Sequence, residues 1–159
     1  MLAAQEDQPL RPEGEQRHFS AEDAKVKRPV RLPPAVAALL AKDLYVGGMF
    51  LLLRSDLEQL PEKWFQASEF HLAGPEERDL IVMGVGQIRG TNAVMFWIFR
   101  PRDDGYDVIL DGTPAHDLVV DVSRTKGYRD IELISATRVA VSVEHCRFDG
   151  DAYPASTLR

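Results

Sequence analysis

Two aspartates occupy matching sequence contexts and are the first candidates for chemistry. Asp79 lies in Arg-Asp-Leu-Ile-Val at residues 78 to 82, and Asp130 lies in Arg-Asp-Ile-Glu-Leu at residues 129 to 133. Two carboxylates that share one solvent-filled cleft can act as a general acid and a general base. One hypothesis is therefore a carboxylate-dependent hydrolase that uses Asp79 and Asp130.

The same aspartates also have a structural interpretation, which we favour. Each follows a glycine-containing loop, and carboxylates beside turns commonly accept hydrogen bonds from backbone N–H groups. Asp149 and Gly150 form a further turn, since an Asp-Gly pair readily takes the left-handed turn conformation. We expect Asp79, Asp130, Asp149 and Gly150 to be structural turn residues.

The other residues with metal or nucleophile chemistry are scattered. His71, His116 and His145 lack the spacing of metal ligands, and His18 lies in an N-terminal stretch without apolar periodicity. His145 and Cys146 are neighbours in a predicted strand, where consecutive side chains point to opposite faces and cannot activate one another. We predict no catalytic set, no metal site and no cofactor.

The composition of the whole chain limits the classes of function. With 159 residues and 45% hydrophobic content, the chain suits a single domain. A net charge of −6 argues against a nucleic-acid binder, which needs a clustered basic face. The longest uncharged run, residues 44 to 53, is too short for a membrane span, which needs about 20 apolar residues. The lone Cys146 forms no internal disulfide.

The chain divides into an N-terminal arm, a body and a short tail. Residues 1 to 32 are polar and predict a flexible arm, with Phe19, Val26 and Val30 as its anchors on the body. Residues 33 to 153 predict a single α+β domain, and residues 154 to 159 a tail. Residues 2 to 4, Leu-Ala-Ala, resemble the end of a cleaved signal, so we expect a periplasmic or secreted protein.

The body begins with helical patterns and continues with strands. Pro33 and Pro34 open an amphipathic helix that Gly47 and Gly48 can end, and residues 55 to 58 have the spacing of a capping box for a second, short helix. Alternating patterns predict seven strands, at residues 66–72, 79–84, 93–100, 106–110, 117–124, 129–135 and 138–148.

Two of these strand regions determine the expected architecture. Residues 93 to 100 are apolar on both faces, which predicts a central strand covered by helix on one side and by another layer on the other. Residues 126 to 153 predict a hairpin in which Val139, Val141 and Val143 mark a half-buried face. We expect one or two N-terminal helices packed on a mainly antiparallel sheet of about six or seven strands.

The strand region contains a possible internal repeat. Each of the two Arg-Asp segments is followed by a second strand and then by an Asp-Gly turn with a tyrosine nearby, at residues 104 to 106 and 149 to 153. The sheet is therefore expected to be built from two related units. Chance similarity between two hairpins is the alternative.

Several short motifs resemble a family. The segments at residues 39–43, 71–82, 90–99, 127–131 and 146–153 are similar to those of small, largely uncharacterised exported bacterial proteins with degenerate integrin-type (FG-GAP-like) β repeats. The resemblance implies a β-repeat fold and export. In such repeats an Asp-rich loop can hold calcium, but here His71, Ala73 and Pro75 replace the expected oxygen ligands, which argues against it.

These observations favour a non-enzymatic exported module that binds another protein or a cell-envelope component, with an inhibitor as one concrete version. A carbohydrate-binding module is a further alternative to the hydrolase. It would need at least two exposed, coplanar rings from one group of aromatic residues. That group comprises Trp64, Trp97, Tyr106 and Tyr128.

Overall fold

The protein folds into three layers: helices, a central sheet and an outer sheet. The structure, a computed structural model, describes residues 15–23, 25–54 and 60–154. The helices are α1 (Pro34–Ala41) and α2 (Leu44–Arg54). The strands are β1 (His18–Ser20), β2 (Phe65–Phe70), β3 (Asp79–Gly84), β4 (Val94–Arg102), β5 (Gly105–Ala115), β6 (Asp117–Thr125), β7 (Tyr128–Ala136) and β8 (Val141–Cys146).

The α+β class is as expected, but the strands form two sheets. The central sheet has the order β2-β3-β4-β5 and the outer sheet the order β1-β6-β7-β8, and every pairing in both is antiparallel. The predicted single sheet of six or seven strands is therefore wrong. The chain leaves the central sheet at His116, whose N–H bonds to Ile134 of β7, so β6 pairs with β7 and β1 instead of with β5.

Strand β4 shows why two layers must cover the central sheet. Phe96 and Ile98 pack into a core shared with the outer sheet, and Trp97 and Phe99 pack into a second core under the helices. All four side chains are buried. Since burying such a side chain contributes about 1.5 to 3 kcal/mol, a strand that is apolar on both faces is stable only between two layers. The prediction of a central strand is confirmed.

The helical region departs from the prediction at Asp43. The first helix ends at Ala41, and Gly47 and Gly48, predicted to end it, lie inside α2. Asp43 caps the new helix, because its Oδ1 accepts the N–H of Val46 at 3.0 Å. The capping box predicted at residues 55 to 58 falls outside the described residues.

Part of the predicted flexible arm belongs to the fold instead. Residues 18 to 20 form β1 and pair with β6, opposing Phe19 to Leu118. Phe19 and Val26 are buried, and Val30 makes an isolated bridge to Ala67 of β2. The three expected anchors therefore contact the body, and one of them adds a strand that the weak apolar pattern of this region did not predict.

The hairpin of β7 and β8 forms as predicted, but β8 buries the face opposite to the one expected. Ile131 pairs with Cys146 and Ile134 with Val143. Ile131 and Cys146 face the central sheet and are buried, so Val143 must face outward. The turn is closed by Thr137, whose N–H donates to Ala140 O at 2.8 Å.

Candidate functional site

Asp79 is buried at the start of β3 and closes the connection from β2. Its Oδ2 accepts the N–H of Leu72 at 3.2 Å, and its Oδ1 has no hydrogen-bond partner within the described chain. Burial raises the pKa of Asp79 from 3.8 to about 7, although the Leu72 N–H opposes the shift; the nearby Glu77 adds to it. The carboxyl therefore holds a turn, as its structural interpretation proposed.

Asp130 is held within a different hairpin. Its Oδ2 accepts the hydroxyl of Ser123 at 2.6 Å and its Oδ1 that of Thr125 at 2.7 Å, across the β6–β7 connection. The expected acceptance of backbone N–H groups is therefore wrong for Asp130, since hydroxyl donors on the paired strand reach its oxygens. Asp79 and Asp130 belong to separate sheets and have separate partners, an arrangement that gives no support to an acid–base pair.

The two hairpins are joined by other groups. Arg129 N–H donates to the carbonyl of Leu72 at 3.1 Å, and the Tyr128 hydroxyl donates to Glu77 at 2.9 Å. The Tyr153 hydroxyl donates to the carbonyl of Arg129 at 2.5 Å. Polar contacts thus connect the β2–β3 loop, β7 and the C-terminal segment, which is consistent with an architectural role for this region.

The Asp149-Gly150 turn has the geometry expected from its sequence. Asp149 Oδ1 accepts the N–H groups of Asp151 at 2.8 Å and Ala152 at 2.9 Å. These backbone hydrogen bonds, that of Ala152 first, lower the pKa of Asp149. Gly150 has a φ of 109°, which side chains rarely allow.

The aromatic residues do not form a carbohydrate-binding face. Trp64, Trp97 and Tyr128 are all buried, which leaves only Tyr106 of the four partly exposed. The indole N–H of Trp97 donates to Asp43 Oδ2 at 2.9 Å, so even its polar atom is satisfied inside the protein. The carbohydrate-binding alternative required two exposed, coplanar rings, and three of the four rings are buried.

Two of the histidines contact a carboxylate through a ring nitrogen. His71 Nδ1 lies 2.9 Å from Glu15, and His18 Nε2 lies 2.8 Å from Asp117. Burial raises the pKa of Asp117, but hydrogen bonds from His18, Ser20 and His116 outweigh it and lower the pKa overall. These contacts attach the N-terminal segment to the body.

Cys146 is a buried thiol. Burial raises its pKa to about 12, with Glu144 contributing a smaller electrostatic effect. His145 next to it is exposed on the other face of β8.

The valine edge, defined as Val139, Val141 and Val143, is an apolar surface that remains open. These side chains are 93%, 68% and 46% exposed. Strand β8 is at the edge of the outer sheet, and within the described residues only β7 pairs with it. An edge strand offers unpaired backbone N–H and C=O groups, so the valine edge combines apolar side chains with free hydrogen-bonding capacity.

A polar triad lies beside the valine edge on the outer face. The ligand atoms of Asp121, Glu132 and His145 all lie within 4.8 Å of one another. Glu132 is opposite His145 in the β7–β8 pairing, and Asp121 is on β6. Sequence spacing could not find this triad because its members are on three strands; the only signal was the hairpin register that aligns Glu132 with His145.

A second apolar surface lies on the helices. Leu44, Leu51 and Leu52 of α2 are largely exposed, and a groove of about 600 Å³ runs between the helices and the segment before β2. In the part of the chain that is described, no single helix has the length and hydropathy of a membrane span. Only Pro34–Ala41 and Leu44–Leu53 together pass that test, and they are bent by 78°.

Comparisons with known proteins add no assignment to these surfaces. No protein-family model, no curated protein and no solved structure matches this chain. The resemblance to FG-GAP-like repeat proteins and the internal repeat therefore stay predictions, and a function must be argued from the geometry.

Proposed function

We propose that this protein is a non-enzymatic, exported module that binds another protein by adding an extended segment of that partner to β8. The single observation that carries the proposal is the valine edge on β8, an edge strand that pairs with β7 on one side only within the described residues. Backbone groups of an edge strand select an extended backbone, because only a strand matches their alternating donors and acceptors.

The side chains of β8 indicate what such a segment contains. Val141 and Val143 point outward at alternate positions, so a paired strand places every second side chain beside them. Full burial of a valine contributes about 1.5 to 3 kcal/mol, and the partly exposed valine edge supplies about 3 kcal/mol in total. We therefore propose a partner segment with apolar residues at alternate positions.

Two alternatives, a second copy of this chain on β8 and an occupant of the leucine face of α2, are supported less well. A second copy of this chain could pair with β8, but the net charge of −6 on each copy opposes association. The leucine face of α2 is apolar without backbone groups that specify a partner, so nothing in the structure shows what covers it.

Export, and the inhibitor or cell-envelope version of the proposal, rest on the sequence resemblance. Fractionation of cells that express the natural gene tests export directly, with recovery of the protein in the cytosolic fraction as the contrary result.

The binding experiment compares two valine substitutions. Val143→Lys places a charge on the valine edge, whereas Val122→Lys, the control, places the same charge at a valine of β6 that is more exposed, 69% against 46%. We expect a stoichiometric partner from a cell-envelope extract to bind wild type and Val122→Lys, and to be lost with Val143→Lys.

Hydrogen exchange then locates the bound segment. Strand addition protects the outward-facing amides of β8 and leaves those of α2 unchanged. Equal capture by both variants, or protection confined to α2, contradicts the proposal. Sedimentation that shows a dimer of wild type, lost with Val143→Lys, would make a second copy the occupant instead.

A further inference from the structure

We infer that Asp121, Glu132 and His145 form a binding site for a zinc-like divalent metal ion on the outer face of the outer sheet. The inference does not rest on the proposed partner, because the three ligands come from this chain alone. The sequence-based prediction of no metal site considered the spacing of histidines and the loop in which His71, Ala73 and Pro75 replace oxygen ligands. Neither observation bears on ligands that come from three different strands.

The donor set suits a borderline transition ion. It contains one imidazole nitrogen and two carboxylates, and zinc accepts these donors at about 2.0 to 2.2 Å in four-coordinate sites. Magnesium and calcium prefer oxygen donors alone. Three protein ligands leave a fourth position for water or for a group from another molecule.

The spacing of the triad requires only small movements to bind an ion. Its ligand atoms lie within 4.8 Å of one another. Tetrahedral coordination at zinc distances separates neighbouring ligands by about 3.5 Å, so each side chain must move inward by about 1 Å or less. Glu132 and His145 are already close, with Oε2 to Nδ1 at 3.4 Å.

The backbone holds the ligands on a paired sheet. Glu132 and His145 are directly opposed in the β7–β8 register, and Asp121 lies in the irregular part of the β6–β7 pairing, between Val120 and Arg124. The carbonyl of Asp121 accepts Arg129 Nε–H at 2.6 Å, which fixes this part of β6. Sites built on strands are held more firmly than sites on loops.

Electrostatics favour a cation at the triad. Asp121 and Glu132 place two carboxylates close together on adjacent strands, and like charges side by side destabilise a sheet. A divalent ion between them removes this repulsion. The triad has two carboxylates and one histidine. At Asp117 the ratio is reversed, because His18 and His116 both direct a ring nitrogen at that one carboxylate.

Calorimetric titration of untagged protein with zinc chloride tests the site. We expect one zinc ion per chain, and His145→Ala and Glu132→Gln should each weaken binding by about tenfold or more. Glu144→Gln is the matched control, because it removes one negative charge from the same strand but on the opposite face, and zinc affinity should be unchanged.

Two further measurements make the outcome decisive. Zinc should shift the ring resonances of His145 in NMR spectra and should raise the unfolding temperature of wild type but not of His145→Ala, because an ion that binds only the folded state stabilises it. Absence of saturable binding overturns the inference. So does one-to-one binding that survives both ligand substitutions, or calcium binding that is equally tight and independent of His145.

Discussion

Replacing Asp79 with asparagine keeps the shape of the side chain but removes its ionisable proton. In the native protein the carboxyl is completely buried, and only one of its oxygens accepts a hydrogen bond within the described residues. Burial raises its pKa from 3.8 to about 7. Ionisation of Asp79 therefore disfavours the folded state, and Asp79→Asn should stabilise the protein at pH values where the wild-type carboxyl is charged.

The size of the effect follows from the two pKa values. Between pH 5 and pH 7 the unfolded chain has already lost the Asp79 proton, whereas the folded chain still holds it. Native stability therefore falls by about 1.4 kcal/mol per pH unit over this window. The stability that the buried, protonated carboxyl contributes is fully present below the pKa of Asp79 in the unfolded chain. That contribution is lost as the pH rises to about 7. Wild type should lose roughly 2 to 3 kcal/mol relative to Asp79→Asn between pH 5 and pH 8.

Urea unfolding, followed by fluorescence of the buried Trp64 and Trp97, measures this difference. Comparing wild type with the variant at each pH cancels the contributions that the other titrating groups make to the free energy of unfolding. Glu76→Gln, which removes an exposed carboxylate from the same loop, is the control for the loss of one negative charge there. If Asp79→Asn changes the free energy of unfolding equally at pH 5 and pH 8, Asp79 does not carry a raised pKa and the argument from its burial is refuted.

Two further outcomes are expected. Asp43→Ala should lower the free energy of unfolding, measured in urea, by about 2 to 4 kcal/mol, because it removes both the cap of α2 and the partner of the Trp97 indole. Asp43→Asn should recover part of this loss. Equal losses in both variants would contradict the role of Asp43. Cys146 should react with a disulfide reagent at pH 8 only after unfolding, since its buried thiol has a pKa of about 12; rapid labelling of the native protein would show that β8 opens.

The strands were predictable because their side-chain pattern is local. All seven predicted strands correspond to β2 through β8, and the two apolar faces of β4 indicated two covering layers. Division into two sheets was not predictable, because it depends on which strand pairs with β6. β6 pairs with β7, which follows it directly, and with β1, which is far away in the sequence, instead of with β5.

Errors at single residues have similar causes. Gly47 and Gly48 favour a helix end in isolation, but the cap at Asp43 and the burial of Val46 place them inside α2. The three valines in and just before β8 outnumber the large apolar residues on its other face, yet packing of Cys146 and Phe148 into the shared core decides which face is buried. Of the candidate surfaces, the valine edge could be found in the sequence as an alternating pattern, but the pattern predicted that these valines are half-buried, whereas they are exposed.

The pairing of β1 with β6 affects how the chain assembles during synthesis. His18 and Asp117 are in contact although 99 residues separate them. The central sheet is contiguous in sequence, from Phe65 to Ala115, so it can pair as soon as that stretch leaves the ribosome. Strand β1 must then wait until β6 has been synthesised before its hydrogen-bonding neighbour exists, which makes β1 one of the last strands to dock.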